Sequence, residues 1–104
     1  MWTVAGDGDY TGKPRPVVII QDDRYVSTLS VTVAAFTSTV VDAEMLRLLI
    51  VPSPVNGLKS ESYLMVDKIT TVRRARLGTR VGRLDPADMQ QFERALLVFL
   101  GIAH

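Results

Sequence analysis

The segment from Asp85 onward limits the fold of this 104-residue chain more than any other. Asp85 suits a helix N-cap, and Pro86 suits the first helical position, where a missing N–H costs nothing. Asp88 adds negative charge at the positive end of the helix dipole. Met89, Phe92, Leu96 and Phe99 recur every three or four residues and make one apolar face, flanked by Ala95 and Leu100. Gly101 supplies the stop. The rest of the chain reads as short β-branched runs separated by turn residues. Helices do not alternate with strands, so no βαβ crossover and no parallel sheet are expected. The expected fold is α+β, mostly β with a C-terminal helix. It is a small, strongly bent antiparallel sheet or partly open barrel of about five to seven strands, with the helix packed on it. The Met-Phe-Leu stripe fits either the sheet or a dimer axis.

The strands follow from local composition. Residues 1–5 (MWTVA) read as a short strand. It opens without a lead-in, so the natural start is expected to lie upstream or to have been trimmed. Residues 6–14 form a loop with three glycines, two aspartates and a proline. As a phosphate-binding P-loop it fails at Asp7 and Pro14, and as a dinucleotide fingerprint at Thr11. As a calcium loop it fails at Val18, where the closing glutamate belongs. It is read as a flap beside Arg15, with no metal. Residues 16–21 (PVVIIQ) are a continuous apolar run, as in a strand buried on both faces, and Asp22-Asp23-Arg24 ends it. Residues 29–36 make the next strand. Residues 41–45 suit a loop or one helical turn. Residues 46–51 make a strand stopped by Pro52 and Pro54. Asn56-Gly57 signals a turn, since both residues accept positive φ. Residues 62–66 are a strand, which residues 67–72 continue or follow with another. Residues 73–77 suit a short helix closed by Gly78.

Pro14 and Pro16 fix the backbone on both sides of Arg15 at the mouth of the most apolar strand. A guanidinium held so stiffly suits a phosphate, and equally a salt bridge across a barrel mouth. Thr37-Ser38-Thr39 at the next strand end can turn the chain, hold a phosphate or polarise a nucleophile. Arg73, Arg74, Arg76, Arg80 and Arg83 form the one dense basic segment. It reads as a solvated face, or as a rim for phosphates or an acidic partner.

The length gives a single domain over residues 1–104, and a formal net charge of +1 decides little. Without a signal segment, a span-length apolar run or a cysteine, a reducing cytoplasm is expected, with no membrane contact. The single histidine, His104, is terminal. Histidine acid–base pairs, Ser–His triads and cysteine or histidine metal sites therefore drop out. Arginine, lysine, hydroxyls, aspartate and backbone donors remain. Cleavage of RNA by its own 2′-OH suits that kit, because the substrate brings the nucleophile and the protein aligns it and neutralises the phosphate.

The sequence resembles the MazF/PemK toxins of bacterial toxin–antitoxin modules, in the small-barrel superfamily that includes CcdB. Met1-Trp2-Thr3-Val4 resembles the close of the family's opening Gly-Asp-(Ile/Val)-Trp segment. Lys13-Pro14-Arg15-Pro16-Val17-Val18-Ile19-Ile20-Gln21 resembles its Arg-Pro strand ending in Gln. Ala34-Ala35-Phe36-Thr37-Ser38, Asn56-Gly57-Leu58, residues 62–72 and Gly82-Arg83-Leu84 follow in family order. The resemblance implies an SH3-like barrel and an endoribonuclease that cuts single-stranded RNA sequence-selectively, without metal or cofactor. The target is mRNA, with rRNA and tRNA as alternatives. The 2′-OH attacks, leaving a 2′,3′-cyclic phosphate and a 5′-OH, and translation and growth stop. Arg15 and Thr37 carry over as the catalytic pair. Tyr10, Lys13, Ser38, Asp67, Lys68, Thr70 and Arg73 carry over as substrate-binding positions. Some members hold a glutamate where this chain has Tyr10, beside Asp9, and the family's Asp-Gln pair reads Asp67-Lys68 here. A homodimer is implied, with RNA in grooves at its interface. A cognate antitoxin is implied to block those grooves with an acidic disordered tail, and promoter DNA is bound only through the toxin–antitoxin complex. The competing readings are a gyrase-poisoning toxin like CcdB and a non-catalytic nucleic-acid-binding barrel.

Overall fold

The computed structural model describes residues 1–4, 15–21, 23–25, 27–39 and 46–103. The loop over residues 6–14, with Tyr10 and Lys13, and the segment over residues 41–45 lie outside the described residues. Among the described residues, six strands form one antiparallel sheet: β1 (Trp2–Val4), β2 (Arg15–Ile19), β3 (Ser30–Thr37), β4 (Arg47–Ile50), β5 (Ser62–Arg73) and β6 (Leu77–Arg80). Their order across the sheet is β4-β5-β3-β2-β1-β6, and the helix α1 (Pro86–Phe99) closes the chain.

Strand β2 is buried on both faces, as its unbroken apolar run requires. Val18 joins the main core with Ala34, Phe36, Leu64, Val66 and Phe92. Val17 points the other way, into a second cluster with Val31 and Val33. The sheet bends most at β5. Ala34 pairs with Ile69 and Phe36 with Leu64, so residues 65–68 of β5 face the single residue Ala35. There β5 leaves β3 and follows β4, where Arg47 pairs with Met65. Residues 67–72 thus continue the preceding strand.

The bend brings the ends of the sheet together. Arg83 N–H donates to the Val55 carbonyl at 2.9 Å, and Val81 N–H to the Met1 carbonyl at 2.8 Å. A Cβ on Gly82 would stand 2.5 Å from the carbonyl oxygens of Val55 and Asn56, so only glycine fits this closure. Asn56 does more than turn the chain. Its side chain is buried, accepts from the Ser53 and Leu58 N–H groups, and donates to the Val51 carbonyl. Gly57 alone takes the positive φ, at 70°.

Residues 73–77 do not form the expected helix. One 3₁₀ turn, Arg74–Arg76, leads straight into β6. The Arg74 guanidinium donates to the Thr28 carbonyl at 2.7 Å and to the Tyr25 carbonyl at 3.3 Å, contacts remote in sequence. Gly78 is a strand residue whose missing Cβ admits the Thr3 hydroxyl.

Helix α1 spans the expected residues. Phe92 is fully buried, and Met89, Ala95 and Leu96 pack on the core. Two details differ. The Asp85 carbonyl accepts the Met89 N–H at 2.9 Å, but its carboxylate makes no capping bond. Phe99 is 45% exposed, although it lies on the same sequence stripe as the fully buried Phe92. Gly101 ends the helix at φ 77°, donating to Val98 while Ile102 donates to Leu97, which satisfies the last carbonyls.

Candidate active site

Five strands meet in one row at one end of the sheet. Arg15 opens β2 opposite Val4 of β1. Val17 pairs with Ala35, Val18 with Ala34 and Ile19 with Val33. Carried two residues further, that register sets Arg15 opposite Thr37, the last residue of β3. Thr37 pairs in turn with Tyr63 of β5, and Tyr63 with Leu49 of β4. Side chains alternate across a strand, so these four share the face of Val17 and Val33, away from the main core. Directly opposed residues have Cβ atoms about 5 Å apart. A guanidinium, a hydroxyl and a phenol ring thus stand in sequence across three adjacent strands.

Each member is positioned by its neighbours. Arg15 is exposed at the mouth of β2, whose following residues are locked into two apolar clusters. Thr37 is half-buried, and its Oγ1 accepts the Thr39 N–H at 3.1 Å. The chain-turning role of the hydroxyl is therefore present. It uses one acceptor site, and among the described residues the O–H makes no bond of its own, so it can donate to a phosphate oxygen. Ser38 follows and is exposed.

The other expected contacts divide. Lys68 is exposed in the irregular stretch of β5 that faces Ala35, next to the row. Asp67 lies in the same stretch, and its carboxylate is held by the Arg47 guanidinium. Thr70 pairs with Val33 on the same face as Thr37 but four residues back along β3, roughly 13 Å away at strand spacing. Arg73 pairs with Ser30, at the far end of β3 and on the opposite face. Seven strand residues separate it from the Thr37 row, roughly 23 Å, so this chain does not bring Arg73 to Arg15. Pro16 and Ser62, chain neighbours of Arg15 and Tyr63, line an open groove of about 340 Å³ with Thr3, Leu58, Lys59 and Ser60. Among the described residues, no three potential metal ligands gather.

Two residues of this region escaped sequence reasoning. Arg47 carried a faint signal, a lone charge in a leucine-rich strand. Tyr63 carried none, because only the β3–β5 register sets it beside Thr37.

A family described as PemK-like, MazF-like toxin of type II toxin–antitoxin system matches residues 1–100. This chain belongs to that family. It is 58% identical over 103 residues to the probable endoribonuclease MazF of Mycolicibacterium smegmatis, covering 99% of this chain and 94% of that protein. The MazF-like fold is shared with the Mycobacterium tuberculosis toxin MazF-mt6, at TM-score 0.79 and 24% identity over the whole of both chains. A mycobacterial endoribonuclease solved in complex with its cognate antitoxin superimposes at TM-score 0.75 and 24% identity, over 99% of this chain and 94% of that one. The bent sheet with one C-terminal helix is therefore the fold of MazF-like toxins, and the Arg15 row lies within the matched residues.

Proposed function

We propose that this chain is an endoribonuclease toxin that cuts single-stranded RNA sequence-selectively at the Arg15–Thr37 row. The observation that carries the activity is the 58% identity, over 99% of the chain, to a probable endoribonuclease MazF. What supports the site is the register that sets a proline-flanked guanidinium opposite a strand-end hydroxyl.

The chemistry follows from those two groups. The RNA 2′-oxygen attacks the adjacent phosphorus and loses its proton. The bond from phosphorus to O5′ breaks, and O5′ gains a proton. The products are a 2′,3′-cyclic phosphate and a 5′-OH. Arg15 neutralises the charge that gathers on the non-bridging oxygens, and the Thr37 hydroxyl donates to one of them. The part assigned to Arg15 is electrostatic, a fork of charged donors aimed at the phosphate. Cleavage of mRNA, rRNA or tRNA by this route stops translation.

The partners follow the same reading. Leu97, Phe99, Leu100 and Ile102 are exposed together at the end of α1, an apolar patch suited to a second copy of the chain. A cognate antitoxin neutralises the toxin with an acidic disordered tail, for which exposed Arg80 and Arg83 offer charge. Promoter DNA is bound only through that complex. The protein acts in the bacterial cytoplasm, and among the described residues no helix is long and apolar enough to cross a membrane.

The test is cleavage of short single-stranded RNA by purified protein in EDTA. The wild-type chain is expected to cut. Arg15→Ala is expected to lose about 10²–10³-fold in rate, the usual cost of a transition-state donor, with an unchanged melting temperature. Cleavage that vanishes with chelator, or survives Arg15→Ala, would overturn the mechanism. Gyrase-dependent DNA breaks, or saturable RNA binding without product, would replace it with one of the competing readings.

A further inference from the structure

We propose that Tyr63 is the platform on which the RNA base beside the scissile phosphate stacks. The inference rests on the endoribonuclease reading and extends its site by one strand. Thr37 is paired on one side with Tyr63, and the β2–β3 register sets Arg15 on the other. The phosphate held between Arg15 and Thr37 therefore has an aromatic ring one strand away, on the same face.

The geometry suits a nucleotide. A base hangs one sugar away from its phosphate, a separation comparable to one or two strand spacings. An RNA strand that crosses β2, β3 and β5 along this row puts a phosphate at Arg15 and Thr37 and the adjoining base over Tyr63. Single-stranded RNA is commonly held this way, by splayed bases stacked on aromatic side chains. The flanks are suitable too. Leu49, paired with Tyr63, is 46% exposed and continues the apolar surface under the base. Lys68, exposed where β5 bulges away from Ala35, supplies a cation near the same track.

The ring is rooted but reachable. Tyr63 is half-buried, and its chain neighbours Ser62 and Leu64 face the other way, Leu64 fully buried in the core. Strand β5 is thus fixed by Leu64, while Tyr63 lies on the opposite face, at the end of the row where Arg15 and Leu49 are exposed. The ordinary reason for an outward tyrosine in a strand is its β-propensity and its cross-strand packing. A leucine would meet most of that need. It would not stack a base, and this difference makes the proposal testable. Stacking tolerates any base, so Tyr63 contributes affinity and leaves sequence choice to other groups.

The experiment compares wild-type protein with Tyr63→Ala, Tyr63→Leu, Tyr63→Phe and Tyr63→Trp on a short RNA spanning a mapped cut. Matched RNAs carry an abasic nucleotide on either side of that cut. Tyr63→Ala and Tyr63→Leu are expected to raise KM about ten-fold, with kcat within about three-fold, the size of one lost stack. Tyr63→Phe and Tyr63→Trp are expected to stay near wild type. One abasic position should cost the wild type the same ten-fold and cost Tyr63→Leu nothing further. In a second readout, a 2′-deoxy RNA with 2-aminopurine at that position should be quenched by wild type and not by Tyr63→Leu. The proposal is overturned if Tyr63→Leu cuts like wild type, if Tyr63→Phe is as impaired as Tyr63→Leu, or if the abasic and side-chain losses multiply. Those results leave the endoribonuclease standing. A wild-type chain that cuts nothing overturns both readings.

Discussion

Thr37 has a structural bond in the fold and a separate role in the proposed reaction, and the two can be tested apart. Its hydroxyl accepts from the Thr39 N–H at the end of β3, and a hydroxyl engaged as an acceptor keeps a proton to donate. Thr37→Ser keeps both bonds, whereas Thr37→Val loses both. Thr37→Ser is expected to cut within several-fold of wild type, and Thr37→Val about 10²-fold more slowly in a single-turnover RNA assay. Similar rates for the two variants would remove the hydroxyl from the mechanism. The Arg47–Asp67 pair follows different physics. Arg47 is 11% exposed, and its Nε is buried without a partner among the described residues. Arg47→Met leaves Asp67 with an unneutralised charge. We expect a loss of about 2 kcal/mol in urea unfolding, below the ~3–5 kcal/mol of a sealed pair because Asp67 keeps some exposure. The Asp67→Leu change on that background should restore part of it. The placement of Arg15 and Thr37 at strand ends was legible in the sequence, because prolines and a strand-end hydroxyl mark those ends locally. Tyr63 and the Arg47–Asp67 pair were not, since each is defined by a partner on another strand.

Most of the elements were legible for the same local reason. The β-branched runs gave the strands, and the three-to-four spacing gave α1 with its proline start and glycine stop. The failures occurred where remote contacts decide. The helix expected over residues 73–77 is pre-empted by Arg74, whose guanidinium is drawn to the carbonyls of Tyr25 and Thr28. The irregular stretch of β5 opposite Ala35 begins at Met65, which pairs with Arg47 of β4 and has no partner on β3, an arrangement no local pattern in β5 records. The helix carries the sharpest energetic contrast. Phe92 is fully buried and Phe99 half out, although both lie on one sequence stripe. Phe92→Ala should cost about 3–5 kcal/mol, a large share of the ~5–15 kcal/mol that holds a domain together. Phe99→Ser should cost the fold little and, if the proposed dimer forms through this patch, shift the protein toward monomer in sedimentation. A Phe99→Ser chain that unfolds as readily as Phe92→Ala would mean that the exposed end of α1 is structural.

At the scale of the whole molecule, the sheet closes through the first residue of the chain. Met1 is buried at the side chain, its carbonyl accepts from Val81, and its ammonium donates to the Gly82 carbonyl at 2.6 Å. This ties the start of β1 to the end of β6, just where Gly82 meets Val55 and Asn56. In a chain that begins at Met1, that ammonium does not sit comfortably as a charge. Burial, and then the nearby Arg80 guanidinium, hold its pKa below the ordinary value of 8.0. The unfolded chain therefore binds more protons than the folded one between that lowered value and 8.0. Stability rises with pH wherever the unfolded state holds the extra proton, so closure should strengthen as pH climbs through this window and level off above it. The hydrogen bond to Gly82 survives deprotonation, because a neutral amine still donates. The chain beginning at Met1 is thus expected to melt at a higher temperature at pH 8.5 than at pH 7. The same chain acetylated at its amine has no such group to titrate and should lose that part of the slope. Equal slopes for the two forms would mean that the amine is solvated in the folded state, and that the sheet closes on the backbone bonds of Met1 and Arg83 alone.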